Sequence, residues 1–196
     1  MTDLKQTLDA ARWHGEPPDW TLSEDALSVT TGNETDFWQD TFYGFRRDDG
    51  HGLLRDVEGD FTAVVGFEAV YDVLYDQAGL MMRADEGNWL KVGIEYSDGI
   101  LNFSTVVTRD GRSDWSVIPV PAATGVQRIR LTRLGGAVLT HYGAEGGWQL
   151  MRLADFPAGA AVGVGPMACS PQRAGLVVRF PEFHVGPPAA DPLHAS

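Results

Sequence analysis

The sequence predicts an all-β protein in which two antiparallel sheets pack as a sandwich or jelly roll. Three observations carry that expectation. One hairpin has a turn and register that can be read residue by residue, short alternating runs recur between Gly, Asn and Asp clusters, and no helical periodicity is sustained anywhere. At 196 residues the chain has the size of one large domain and can bury a core without disulfides.

The hairpin runs from Trp89 to Val107. Asp98-Gly99 is a favoured pair for a two-residue type I′ turn, because both central residues need φ > 0. Ser97 then faces Ile100, and the pairs Tyr96–Leu101, Ile94–Phe103, Val92–Thr105 and Leu90–Val107 follow. Side chains alternate along a strand, so these four pairs share one face, which is largely apolar. The other face presents Trp89, Lys91, Glu95, Asn102 and Ser104, with Gly93 leaving a gap opposite Ser104. A slip of one residue would bury Lys91 and Glu95 and expose the apolar set, so the register is well specified.

The other elements follow in chain order. Leu4 and Leu8, four apart, predict one or two helical turns before Glu16-Pro17-Pro18-Asp19 interrupts regular structure. Phe61, Ala63, Val65, Phe67, Ala69 and Tyr71 share one parity and predict a long strand. A strand from Ala78 to Arg83 joins the hairpin through Asp85-Glu86-Gly87-Asn88, and its core-facing side is open, since loops of four and five residues give opposite answers. Gly135-Gly136 predicts a second hairpin that pairs Ile129 with Tyr142, Leu131 with Thr140, and Arg130 with His141. Later strands are expected at Trp148–Leu153, Ala161–Val164 and Leu176–Val185. The expected organisation is a single domain over residues 1–186 and a loose C-terminal tail over residues 187–196, rich in Pro and Ala.

Charge and composition exclude several classes. Lys plus Arg number 15 against 27 Asp plus Glu, giving a net charge of −12. That balance opposes a nucleic-acid surface and docking on anionic membranes. A neutral ligand such as a sugar, or a basic partner, suits it better. The single cysteine, Cys169, excludes an internal disulfide framework and sits in Ala-Cys-Ser-Pro without an activating neighbour. No N-terminal apolar run or membrane-length segment is present, and a cytoplasmic location is expected. His14, His51, His141, His184 and His194 lack ligand spacing, so no metal site is expected, and no cofactor motif is present. Asp48-Asp49-Gly50-His51-Gly52 lacks the spacing of a calcium loop and reads as a turn.

Several segments, in order, resemble the regulation-of-enolase-like family, a domain of unknown function with a concanavalin A-like fold. They are Trp13 with Glu16-Pro17-Pro18 and Trp20, Asp36-Phe37-Trp38, Asp76-Gln77-Ala78-Gly79-Leu80 and Trp89 through Glu95, followed by Ser104 through Val107, Ser113-Asp114-Trp115-Ser116 and Ala168-Cys169-Ser170-Pro171. The resemblance implies a concanavalin A-like jelly-roll β-sandwich of two antiparallel sheets, one of them concave. It is similar to sandwiches that bind or hydrolyse carbohydrate, including accessory domains of some xylosidases.

Sugar recognition needs a flat aromatic ring beneath the apolar face of a pyranose and planar polar groups on its hydroxyls. Trp38, Trp89 and Trp115 are the candidate rings. Asp76, Gln77, Lys91, Glu95, Asn102, Ser104 and Asp114 are the candidate hydrogen-bonding groups. Lys91 and Glu95 are about 13 Å apart along their strand, too far to pair directly, so each needs a partner elsewhere. The expected function is non-catalytic binding of a carbohydrate or related small polar ligand on that face. Glycoside hydrolysis is the enzymatic alternative, with Asp76, Glu95 and Asp114 as its carboxylates, although the Glu-x-Asp-x-x-Glu strand pattern of sandwich glucanases is absent. A protein-interaction module that regulates a metabolic enzyme is the third expectation.

Overall fold

A computed structural model describes residues 4–120, 125–157, 159 and 161–193. A short helix, α1 (Leu4–Leu8), precedes β1 (Arg12–His14), β2 (Asp19–Leu22) and β3 (Leu27–Thr30). Next come β4 (Phe37–Gln39), β5 (Arg46–Asp48), β6 (His51–Val57), β7 (Phe61–Ala69) and β8 (Gln77–Arg83). The central hairpin is β9 (Trp89–Ser97) with β10 (Ile100–Arg109), followed by β11 (Arg112–Pro119). The chain continues through β12 (Gln127–Leu134), β13 (Ala137–Ala144), β14 (Gly147–Asp155), β15 (Val162–Cys169) and β16 (Val177–Gly186).

Two seven-stranded sheets form the sandwich. The first has the order β1-β6-β15-β8-β9-β10-β11, the second β14-β13-β12-β7-β16-β3-β2, and every pairing is antiparallel. The fold is thus the two-sheet jelly roll that the alternation predicts. Leu80, Met82, Leu90, Val92, Ile94 and Phe103 of the first sheet meet Phe61, Ala63, Val65, Phe67, Ile129, Leu131 and Phe180 of the second in one apolar core. Leu4 and Leu8 of α1 join it, so the predicted helical turn is anchored rather than free.

The central hairpin has the expected register, from Ser97 opposite Ile100 to Leu90 opposite Val107. Asp98 and Gly99 have φ of 54° and 80°, as a type I′ turn requires. The Gly135-Gly136 hairpin also has its predicted pairs. For β8, Arg83 pairs with Trp89 across a five-residue connection, which turns Ala78, Leu80 and Met82 into the core and leaves Gln77 and Met81 on the far face. β15 runs on to Cys169, well beyond the expected strand end. Ala189, in the segment read from sequence as a tail, donates its N–H to Thr62 Oγ1. His194 lies outside the described residues.

The far face of the first sheet is not a bare wetted surface. The excursion between β3 and β6 folds over it as a two-stranded sheet of β4 and β5. Phe37 and Trp38 from that excursion pack on Met81, Trp89, Val106, Met167 and Cys169, building a second, smaller core. Gly79 and Gly93 face each other across β8 and β9 beside it. A Cβ on Gly93 would stand 2.0 Å from the Ala78 carbonyl oxygen, so neither strand tolerates a side chain there.

Candidate functional site

Beside the second core, the same face keeps a cavity of about 200 Å³. Its polar floor comes from adjacent strands: Gln77 on β8, directly opposite Glu95 on β9, and Lys91 four residues before Glu95. Asp36, at the entry to β4, reaches in from the covering excursion. The walls are aromatic, formed by Trp38, Tyr43, Phe45, Tyr75 and Trp115. Tyr43 stacks on Phe45 with ring centroids 5.5 Å apart and meets the edge of Trp38 at 5.6 Å.

Lys91 and Glu95 each find a partner away from their own strand. Lys91 Nζ donates to Asp36 Oδ1 at 3.0 Å, with the lysine side chain 5% and the aspartate 15% exposed. Asp36 Oδ1 also accepts the Phe37 N–H at 2.7 Å, and the Cys169 thiol lies 3.9 Å away. Burial pushes the Lys91 pKa down, but the charge of Asp36, helped by Cys169 and Glu95, outweighs it and holds the ammonium pKa above its ordinary value. Glu95 shows the opposite balance. Burial raises its pKa, and the opposing pull of Lys91 and the Ser104 hydrogen bond does not cancel that rise.

A short relay orients the exposed ring. Trp115 Nε1–H donates to Ser104 Oγ at 3.0 Å, and the Ser104 hydroxyl donates to Glu95 Oε2 at 2.7 Å. Trp115 therefore presents a held ring at the pocket mouth, its N–H already satisfied. Tyr75 is hydrogen-bonded to Tyr43, which with burial pushes its phenol pKa up to about 12. Cys169 is buried and its thiol pKa is pushed up by that burial, so it is not an activated nucleophile.

The structure brings together Trp38, Gln77, Lys91, Glu95, Ser104 and Trp115 of the candidates named from sequence, and places the other four outside this pocket. Trp89 is no stacking surface: it is fully buried, with its ring 5.9 Å from Phe37. Asp76 is also fully buried, but against Arg173, whose Nε donates to it at 3.1 Å, and it caps the Asp72–Val73 turn through their N–H groups. Asn102 is tied to Ser97 Oγ at 3.1 Å beside the hairpin turn. Asp114 lies in the neighbouring groove and pairs with Arg152 at 2.9 Å. Strand parity placed Trp89 and Asn102 on the polar face of the hairpin but could not reveal their covers or partners. Asp36, Tyr43, Phe45 and Tyr75 were missed. The one local signal was the aromatic cluster Phe42-Tyr43-Gly44-Phe45 around a glycine turn. Among the described residues no cluster of His, Cys, Asp and Glu has the geometry to hold a metal ion.

Fold and site together define an all-β jelly-roll sandwich with a small aromatic-walled pocket on one sheet face. The chain belongs to the family described as "Protein of unknown function (DUF1349)", which matches residues 13–188. It is 40% identical over 196 residues to Regulation of enolase protein 1 of Saccharomyces cerevisiae, covering 99% of this chain and 98% of that one. It also superposes on the crystal structure of a functionally unknown protein from Saccharomyces cerevisiae, with a TM-score of 0.89 at 40% identity over 93% of this chain and 99% of that one. The xyloglucan GH43B protein of Bacteroides ovatus shares the fold, with a TM-score of 0.67 and 20% identity. That match covers 85% of this chain but 34% of the Bacteroides chain, so the sandwich corresponds to about a third of the longer protein. No helix among the described residues is long and apolar enough to cross a membrane.

Proposed function

We propose that the protein binds a carbohydrate unit or related small polar ligand, without catalysis, in the pocket between the β4–β5 excursion and strands β8 to β10. The observation that carries this reading is the join of aromatic walls, Tyr43, Phe45, Tyr75 and Trp115, to a buried floor of Gln77, Lys91, Asp36 and Glu95. Trp115 offers a flat apolar face, while the floor offers donors and acceptors at fixed positions. The volume suits one sugar ring rather than a large cofactor. Carbohydrate-active relatives of the fold support the ligand class as an analogy of architecture.

Calorimetry against a panel of neutral monosaccharides and oligosaccharides tests the reading. Binding of at least one sugar is expected, weakened about tenfold by Trp115→Ala and by more than tenfold in Glu95→Gln, since a hydrogen bond to an ionisable acceptor contributes about 1.5–3 kcal/mol. Binding that ignores both substitutions would remove this pocket as the site.

Two observations favour other uses of the same surface. Glu95 and Asp36 share the pocket, so a glycoside hydrolase would use this pair, and turnover of a chromogenic glycoside would then collapse in either Glu95→Gln or Asp36→Asn. Asp76 has no part in that scheme, because Arg173 occupies it. The name of the yeast relative points to regulation of enolase, and a cytoplasmic protein that docks on a metabolic enzyme fits that name.

A further inference from the structure

The tip of the β4–β5 excursion violates two local rules at once. Phe42 is 93% exposed and has a φ of 63°, a left-handed conformation that is costly for a bulky side chain. Its ring makes a T-shaped contact with Tyr43, with centroids 5.0 Å apart. Tyr75, which lines the pocket and is hydrogen-bonded to Tyr43, also has a left-handed backbone, with φ of 66°. Core packing explains neither left-handed aromatic residue.

Beyond the wall of Trp38, Tyr43 and Trp115 lies a second, open groove of about 940 Å³, and those three rings line both spaces. Phe42 stands in the groove. The charges around it are mixed in sign: Arg109 pairs with Asp155 and Arg152 with Asp114, each at 2.9 Å, and Asp110 and Arg112 add one charge of each sign. Such a surface offers many hydrogen-bonding groups without a net field, which suits a neutral, hydroxyl-rich chain better than a phosphate or a charged peptide. Trp115 is fixed by its N–H at the boundary between pocket and groove.

We propose that the ligand is the end of a neutral oligosaccharide: the terminal unit sits in the pocket, and the following units cross Trp115 into the groove and pack on Phe42. This rests on the reading of the pocket as a sugar site and adds length and direction to it. Phe42 is the residue that distinguishes a chain from a single sugar.

Calorimetry with xylose and glucose and their β-1,4-linked di-, tri- and tetrasaccharides tests this, on the wild type, Phe42→Gly and Phe42→Asn. Both substitutions suit a left-handed backbone, so neither threatens folding. Affinity is expected to climb about tenfold from the monosaccharide to the trisaccharide and then level off. Both variants are expected to lose that gain while binding the monosaccharide as the wild type does. Equal affinity for short and long saccharides, or variants that keep the full gain, would overturn the chain-end proposal and leave the pocket reading intact. Absence of binding by every saccharide would overturn both.

Discussion

Replacing Lys91 by methionine keeps an unbranched side chain, one atom shorter, and removes its charge, which probes the worth of the Lys91–Asp36 contact. The pair is short, at 3.0 Å, and both side chains are largely out of water. Removing one partner of a buried pair typically costs about 3–5 kcal/mol, because the remaining charge is stranded. Asp36 keeps some exposure and still accepts the Phe37 N–H, so the lower end, about 3 kcal/mol, is expected. For a chain of this length that shifts the melting temperature by about 6–12 °C. Urea denaturation of Lys91→Met, Asp36→Asn and the double variant completes the cycle. The double variant should recover much of the loss, since it strands neither member of the pair, and the effect should persist in high salt. The raised pKa of Lys91 means that its contribution is fully present below the ordinary lysine value and is lost only as pH rises through the higher folded value. A loss below about 1 kcal/mol that vanishes with salt would show a solvated surface pair and refute the buried-floor geometry.

Two further outcomes follow from the same face. The pKa of Glu95 is raised in the fold, so its contribution to stability is fully present below the unfolded carboxyl value and is lost as pH rises through the folded one, with a limiting slope of about 1.4 kcal/mol per pH unit. Chemical denaturation across mildly acidic to neutral pH should show Glu95→Gln flattening that fall, and parallel curves for variant and wild type would contradict the assignment. Gly93→Ala would place a Cβ 2.0 Å from the Ala78 carbonyl oxygen and 2.7 Å from the Gly79 Cα. Both clashes are with backbone, so a loss above about 3 kcal/mol or failure to fold is expected, and circular dichroism melts that match the wild type would disprove the close approach.

The legibility of this protein in its sequence follows the range of the forces involved. The β9–β10 register could be read because the turn at Asp98-Gly99 and the alternation of apolar residues are both local and agree. The facing of β8 could not, since it depended on whether its connection had four or five residues. At the site, parity placed Lys91, Glu95 and Ser104 on one face. It could not tell that Trp89, on the same face, would be roofed by Phe37 from an excursion more than fifty positions earlier. Asp76 and Asp36 mark the same limit from opposite directions. One carboxylate was credited to the site but is held by Arg173, 97 positions away, and the other was overlooked because its partner Lys91 is 55 positions off. Partners brought together by tertiary packing leave no periodic trace in the chain.

The second core has a thermodynamic consequence of its own. The β4–β5 excursion contributes Phe37 and Trp38 to that core and Asp36, Tyr43 and Phe45 to the pocket, while the main apolar core is built without it. The excursion can therefore open as a unit at a free energy below that of global unfolding, baring Trp89 and dissolving the pocket while the two large sheets stay paired. A molecule seated in the pocket binds only the closed form, so occupancy should slow amide exchange in residues 36–48 and leave β7 and β12 unchanged. On the proposed reading, ligand recognition is thermodynamically coupled to the local folding of a single hairpin.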